Sequence, residues 1–387
     1  MKKVALITFY ENNYGSILQC FATKHCVESF GFQCDIICDQ TINKPSFITR
    51  LKKIPIFFFK SLNPSFLKAY KKTKGLSKVN TLSIDSSKQM DIFVKSIFEP
   101  ISVRTNDKNV LPYDFFIAGS DQIWNVNAFF YSFYFLTFAT RNKRIAFAAS
   151  FGISDIPKYN ERALRKALNG FDYISVREET GVSIVKRYSN TKVCRIADPT
   201  FIYNADEWRN FAKDAVVPSQ KYILVHFLNE PNEIALESMV WVSEKLDLKI
   251  IALGYKYNAF DNLKRFTFMD GGPWEYVSLI DHAEFVLTDS FHTSLFSINF
   301  DKRFFVFHRN YSVSKQTSRI SDLLKRFGME DRLIDNIDIL KKIYLENQSA
   351  ETRLILEKER ATIRDYIQKS ISGQVPQCFL QGENDAT

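Results

Sequence analysis

Two successive series of short apolar runs, each alternating with stretches of helical spacing, constrain this chain more than any other feature. The first series holds Val4–Phe9, Ile17–Phe30, Phe32–Cys38, Phe115–Ala118, Arg144–Ala149, Ala163–Leu168, Tyr173–Val176, Thr180–Tyr188 and Val193–Ile196. A second restarts at Tyr222–Phe227 and continues through Glu233–Leu246, Lys249–Leu253, Trp274–His282, Glu284–Leu287, Ser290–Phe300, Arg303–Phe307 and Ile320–Phe327. Strands this short and continuous suit burial on both faces, and the helices between them serve as crossovers between parallel neighbours. The expected fold is therefore α/β: two Rossmann-like doubly wound parallel-sheet domains facing a cleft, in a glycosyltransferase-B-like arrangement. A length of 387 residues with 45% hydrophobic content is enough for two packed cores. We place the N-terminal domain at 1–212 and the C-terminal domain at 213–345. A long amphipathic helix, Ser349–Ile371 within 346–371, is expected to cross back to the first domain, and 372–387 to be a frayed tail.

The formal net charge of +9 has a local origin. An insertion at 46–84 holds nine basic residues (Arg50, Lys52, Lys53, Lys60, Lys68, Lys71, Lys72, Lys74 and Lys78) and no acidic one, leaving 43 basic against 43 acidic elsewhere. Within it lies Ile54-Pro55-Ile56-Phe57-Phe58-Phe59. Basic residues with exposed apolar side chains suit an anionic membrane surface; phenylalanines entering a core beneath solvated lysines would make the same pattern an ordinary insertion. No nucleic-acid motif accompanies the charge. The six cysteines lack CxxC pairing, and Lys2-Lys3 with Val4–Tyr10 ends in Glu11-Asn12-Asn13 without a cleavage site, so the thiols read as reduced and the chain as cytoplasmic. No apolar stretch reaches the length of a membrane span.

Polar groups recur where strands end. Thr288-Asp289-Ser290-Phe291-His292 follows a strand and opens a helix, which puts a histidine in a first helical turn at the carboxyl edge of a sheet, where ligands bind. Asp289 or Ser290 could equally be the cap of that helix. His292 could be a satisfied structural histidine, but its pKa range suits a general acid. Gly119-Ser120-Asp121-Gln122 ends another strand with groups suited to hydroxyls, Asp121 being either a base or a turn-stabilising residue. Arg177 presents a planar fork for a carboxylate or phosphate, or else a surface pair with Glu178 or Glu179. A lone glycine after the first strand, Gly15, is not a dinucleotide fingerprint, and no residues show metal-ligand spacing.

Six segments, in order and spacing, resemble the polysaccharide pyruvyl transferase family: Asn12-Asn13-Tyr14-Gly15-Ser16-Ile17-Leu18-Gln19, Gly119-Ser120-Asp121-Gln122-Ile123-Trp124-Asn125, Phe147-Ala148-Ala149-Ser150-Phe151-Gly152, Ser175-Val176-Arg177-Glu178, Ala197-Asp198-Pro199-Thr200 and Thr288-Asp289-Ser290-Phe291-His292. The resemblance implies transfer of a pyruvyl group from phosphoenolpyruvate, as co-substrate, onto a sugar as a ketal, with phosphate released. On that reading His292 and Asp121 are catalytic, and Arg177, Ser290 and Asp289 bind the donor. Asn13, Tyr14, Gly15, Gln19, Ser120, Gln122 and Ser150 then form the cleft or acceptor side. No cofactor or metal is expected, and the acceptor is expected to be a lipid-linked saccharide met at the inner membrane face. Some members carry an arginine where this chain has Ser290; Arg303, Arg309 and Arg319 are the candidates to replace it. A nucleotide-sugar glycosyltransferase and a non-catalytic saccharide-binding protein are the alternative readings.

Overall fold

Val4, Ala5, Leu6 and Ile7 have no exposed surface, and a run without a polar face belongs inside a sheet covered on both sides. In the computed structural model, which describes residues 1–11, 13–40, 57–58, 60–79, 82–104, 112–309, 317–344 and 348–380, this run is β1 (Lys3–Ile7). It sits third in a seven-stranded sheet ordered β3-β2-β1-β4-β5-β6-β7. The others are β2 (Gln33–Asp39), β3 (Ile101–Val103), β4 (Phe115–Gly119), β5 (Arg144–Ala149), β6 (Tyr173–Val176) and β7 (Lys192–Arg195). A six-stranded sheet, ordered β10-β9-β8-β11-β12-β13, repeats the arrangement with β8 (Tyr222–His226), β9 (Lys249–Leu253), β10 (Phe266–Met269), β11 (Phe285–Thr288), β12 (Phe304–Phe307) and β13 (Leu333–Ile334). Among the described residues every pairing within these two sheets is parallel. The chain thus has the two Rossmann-like, glycosyltransferase-B-like domains its sequence implies.

In each sheet the strand order reverses at one place, between β1 and β4 in the first and between β8 and β11 in the second. Loops leaving neighbouring strands there diverge to opposite faces and open a crevice. The helices are α1 (Tyr14–Ser29), α2 (Pro64–Val79), α3 (Ile84–Ile97), α4 (Lys158–Leu168), α5 (Glu179–Tyr188) and α6 (Ala205–Phe211) in the first half. The second half holds α7 (Glu233–Leu246), α8 (Pro273–His282), α9 (Phe291–Asn299), α10 (Thr317–Arg326), α11 (Ile337–Ile343) and α12 (Ala350–Ile371).

Helix α9 is buried at every position. Its hydroxyls tolerate this because they bond back to the helix: Ser294 to the Ser290 carbonyl at 2.9 Å and Ser297 to the Thr293 carbonyl at 2.8 Å. It packs on α8 in its own domain and on α1 and the turn Pro199–Ile202 of the first. Helix α12 packs against the first domain, where the Tyr366 hydroxyl donates to the Ala146 carbonyl at 2.7 Å and Arg364 to the Ile202 carbonyl at 2.9 Å.

Two expectations need correction here. Residues 372–380 are not a frayed tail, because Gln377–Phe379 forms a 3-10 turn whose Phe379 ring lies 4.9 Å from Tyr173. Nor are all the cysteines reduced. Cys194 on β7 and Cys378 are joined in a disulfide, and Cys20, Cys26, Cys34 and Cys38 are buried thiols. Their partnership was invisible in the sequence because 184 residues separate the pair and only the return of α12 brings them together. The insertion at 46–84 lies partly outside the described residues, including Ile54–Ile56 and Phe59. Within the described part Phe66 is fully buried and packs with Phe57, Tyr70, Phe129 and Tyr159, so these rings enter a core while Phe58 is exposed. Among the described residues no helix is long and apolar enough to cross a membrane.

His226 ends β8 between three tyrosine rings, Tyr14, Tyr255 and Tyr276, at 5.6, 5.6 and 5.3 Å. Burial pushes its pKa down to about 4, against the carbonyl of Leu253 and with a further push from Arg309. Above pH 6.5 the imidazole is neutral folded or unfolded; below it only the unfolded chain gains a proton, until about pH 4. Stability should therefore fall by up to about 3 kcal/mol as pH drops through that window. Urea titrations of wild type and His226→Phe across it would check this, since the difference between their slopes should vanish if the imidazole is not held neutral.

Candidate active site

The crevices of the two sheets face one another, and the side chains at their strand ends meet. After β1, Asn13 caps α1, its side chain accepting from the Ser16 N–H at 3.2 Å. Two residues on, Gly15 lies against His292 in the first turn of α9. A Cβ at Gly15 would stand 2.0 Å from Cγ and Nδ1 of that imidazole. The glycine is needed for the close approach of two helix starts, one from each domain. Ser16 Oγ donates to Asp121 at 2.5 Å, and Asp121 adopts the left-handed conformation, φ 57°, that aspartate tolerates.

Behind this, Gln19 acts as a brace. Its amide nitrogen donates to the Thr8 hydroxyl and to the carbonyls of Phe9 and Ser16, and its oxygen accepts from the Ser120 N–H at 3.2 Å. Ser120 in turn donates to the Ala148 carbonyl at 3.0 Å. Ser150, after β5, donates to Glu178 at 3.0 Å, and the same carboxylate oxygen accepts from the N–H groups of Phe151 and Gly152.

The centre is a buried charge cluster. Arg177, after β6, donates to Asp198, after β7, at 2.5 Å and lies 3.8 Å from Asp121. Asp198 also accepts from the N–H and hydroxyl of Thr200 at 3.0 and 2.9 Å, and stands 3.6 Å from His292 Nε2, an ion-pair separation longer than a hydrogen bond. Burial alone would raise the pKa of Asp198, but His292, Arg177 and Thr200 hold it well below the usual carboxylate range. Asp121 likewise stays low because Arg177, His292, Ser16 and Arg319 outweigh its burial. For Arg177 desolvation is outweighed by Asp198, Asp121 and Glu178, and its pKa rises.

A second guanidinium completes the site. Arg319 on α10 is buried, and burial together with Arg177 brings its pKa down to about 10. With its amide oxygen turned inward, Gln122 accepts from both terminal nitrogens of Arg319 at 3.0 and 2.8 Å. Gly152 makes room for that amide, since a Cβ there would meet the Gln122 side chain at 2.2 Å. Both arginines lie over the ring of Phe291, at 4.5 Å for Arg177 and 5.6 Å for Arg319. Around them is a cavity closed by Ala197, Phe201, Leu295, Leu323 and Phe327. Arg177 Nε and Nη2, Arg319 Nε, Glu178 Oε2 and Asp322 Oδ2 are buried at this cavity without a hydrogen-bond partner, and so, outside its lining, is His292 Nε2.

The structure thus brings together His292, Asp121, Arg177, Gly15 and Gln122 and gives other work to several expected ligand groups. Asp289 accepts from the N–H groups of Leu228 and Asn229 at 2.7 and 3.1 Å and pairs with Arg309 at 3.3 Å, so it braces a loop of its own domain. Ser290 caps α9. Tyr14 donates to the Gly271 carbonyl at 2.7 Å and stacks on Tyr276 at 4.6 Å, which makes it an interdomain strut. Of the three candidate arginines only Arg319 joins the cluster, Arg303 lying beside Glu284 and Arg309 beside Asp289. Arg177 pairs with Asp198 rather than with either neighbouring glutamate.

Asp198 was missed as a site residue. A signal existed: β6 and β7 are consecutive and parallel, with Val176 opposite Arg195, so polar groups just past their ends must be neighbours. Arg319 carried no such signal, since its place depends on how α10 packs against the other domain.

A family model described as Polysaccharide pyruvyl transferase matches residues 13–311. No curated protein matches the chain by sequence. Among solved structures it is similar to UDP-GlcNAc 2-epimerase from Methanocaldococcus jannaschii, with 12% identity over 92% of this chain and 98% of that one and a TM-score of 0.47. It is also similar to a putative UDP-N-acetylglucosamine 2-epimerase from Listeria monocytogenes, with 9% identity, coverage of 94% and 96% and a TM-score of 0.49. For UGT89C1 from Arabidopsis thaliana complexed with UDP the values are 10%, 94%, 95% and 0.41. At these identities the likeness concerns the fold alone.

If Gly15 is required by the imidazole, Gly15→Ala should cost about 1–3 kcal/mol in the native background and much less when His292 is also alanine. Denaturant melts of the double-mutant cycle measure this, and equal costs in both backgrounds would place the clash elsewhere.

Proposed function

Because the chain belongs to the polysaccharide pyruvyl transferase family, whose reaction joins a donor to a saccharide acceptor, we propose that this cleft transfers the pyruvyl group of phosphoenolpyruvate to a sugar as a ketal. The observation that carries the reading is the set of buried nitrogens left without hydrogen-bond partners on Arg177, Arg319 and His292. Buried donors are normally satisfied, and the two guanidinium groups line one small cavity together with the carboxylates of Glu178, Asp198 and Asp322. A molecule carrying both a carboxylate and a phosphate supplies the missing acceptors. Arg319 then takes the place of the arginine that some members carry where this chain has Ser290.

In the proposed reaction His292 delivers a proton to the methylene carbon of the enol, leaving a cationic centre at the adjacent carbon. A sugar hydroxyl attacks that centre while Asp121, ionised and held by Ser16, takes its proton. A second hydroxyl of the same sugar displaces the phosphate: its oxygen forms the second ketal bond, the carbon–phosphate-oxygen bond breaks, and the proton leaves with the phosphate. Asp198 stands where an imidazolium at position 292 finds its counter-ion. The step as written uses no metal or cofactor. We take the acceptor to be lipid-linked, drawn to an anionic membrane surface by the basic residues of 46–84. Sedimentation with anionic vesicles tests this last element, and binding unchanged after neutralising Lys52, Lys53, Lys71 and Lys72 would remove it.

Thermal stabilisation by phosphoenolpyruvate tests the donor. At about a hundred times its dissociation constant it should add roughly 2.7 kcal/mol. Arg319→Gln should lose most of that shift. His292→Gln should keep it yet lose phosphate release by about a hundredfold or more. Full turnover in His292→Gln, or stabilisation by nucleotide sugars alone, would replace pyruvyl transfer with glycosyl transfer as the reading.

A further inference from the structure

The residues that follow the Asp121 loop are aromatic to an unusual degree, and the charge cluster uses none of them. Phe9, just past β1, lies 5.3 Å from Tyr134; Tyr134 lies 6.3 Å from Tyr131, Tyr131 6.1 Å from Phe129, Phe129 5.9 Å from Tyr70 and Tyr70 4.9 Å from Phe57. The rings form an unbroken ribbon from the floor of the cleft to the basic insertion. Its underside is core, with Phe66, Phe133 and Phe135 buried beneath it. Tyr131 is 36% exposed, and Phe9, Phe129, Tyr134, Tyr70 and Phe57 keep part of their surface exposed while packing on that core.

The ribbon is continuous with the site at its inner end. The Phe9 carbonyl accepts from the Gln19 amide that also holds Ser120, beside Asp121. Tyr134 is tied to the same loop, its carbonyl accepting from Trp124 Nε1 at 2.9 Å. The segment between is fixed from below by Asn160, which donates to the Val126 carbonyl at 2.7 Å, and by Tyr159, which donates to the Asn127 carbonyl. The platform is therefore anchored from both ends and does not depend on a ligand to form it.

We propose that this ribbon is an extended acceptor subsite, on which sugar residues beyond the one being modified stack as the chain leaves the cleft. The negative face of an aromatic ring attracts the partly positive C–H face of a pyranose, and rings spaced along a track suit a repeating ligand. Tyrosine hydroxyls and the exposed carboxylate of Glu11, which lies near Tyr134, add the polar contacts that a purely lipid-facing surface lacks. The inference rests on the saccharide acceptor that the family implies and not on the identity of the donor.

The test is calorimetric titration, without donor, of the full chain with glucose, galactose, mannose and N-acetylglucosamine oligomers from mono- to hexasaccharide. Affinity for at least one series should rise with length, and Tyr131→Ala should remove about tenfold for the longer members while leaving the monosaccharide unchanged. Tyr131→Trp should restore it. Affinity independent of length, no binding to any series, or no effect of Tyr131→Ala would overturn the subsite. So would loss of anionic-vesicle binding in Tyr131→Ala without loss of oligosaccharide binding, which would assign the ribbon to a membrane. Phosphate release is read separately: its failure with length-dependent binding intact would sink pyruvyl transfer alone, and its persistence beside a silent Tyr131→Ala would sink the ribbon alone.

Discussion

One carboxylate, that of Asp198, holds the centre of this molecule together. It is almost wholly buried, and an isolated charge in such a place would be strongly destabilising. It is tolerated because Thr200 donates to one oxygen, Arg177 to the other, and His292 of the second domain stands beside them. Removing one member of such a cluster commonly costs about 3–5 kcal/mol, because the rest remain buried without their counter-charge. The interface between the domains is thus an electrostatic seam as well as an apolar one. Its polar members are chosen by what each leaves unsatisfied in the others.

The seam also explains why the glycine at the start of α1 and the wholly buried α9 belong to one design. For His292 to reach Asp198, the start of α9 has to press against the start of α1, and only a residue without a side chain leaves room for the imidazole. Arg177 and Arg319 are buried beside that contact, and burial strengthens every charge interaction among them. The cavity beside them is lined by two guanidinium groups that lie over one phenylalanine ring and by the carboxylates of Glu178, Asp198 and Asp322. The first domain supplies Arg177 and Asp121, the second His292 and Arg319, so neither half carries the site alone.

Much of this was legible in the chain. Period and length of the apolar runs fixed two parallel sheets, because a strand without a polar face has to be covered twice. Members of the buried charge cluster could be named in advance where they lie within a few residues of a strand end, as Asp121, Arg177 and His292 do. The same reasoning could not tell a group facing the cleft from one holding the loop that lines it. Asp289 and Ser290 flank the histidine in sequence yet brace their own domain, since a strand-to-helix turn has backbone N–H groups that must be satisfied first.

What the sequence alone determined is everything that depends on neighbours within a few residues or on one sheet: the strands, the helices, the crevices and the polar ends pointed at them. Only the tertiary structure decided which charges meet. Arg319 joins Arg177 over Phe291, Cys378 reaches Cys194, and Gly15 receives an imidazole 277 residues further along, all through contacts between domains. Such contacts leave no periodicity in the chain, because their partners are set by the angle at which two finished domains close, and that angle is fixed by the sum of many packed surfaces rather than by any local run of residues.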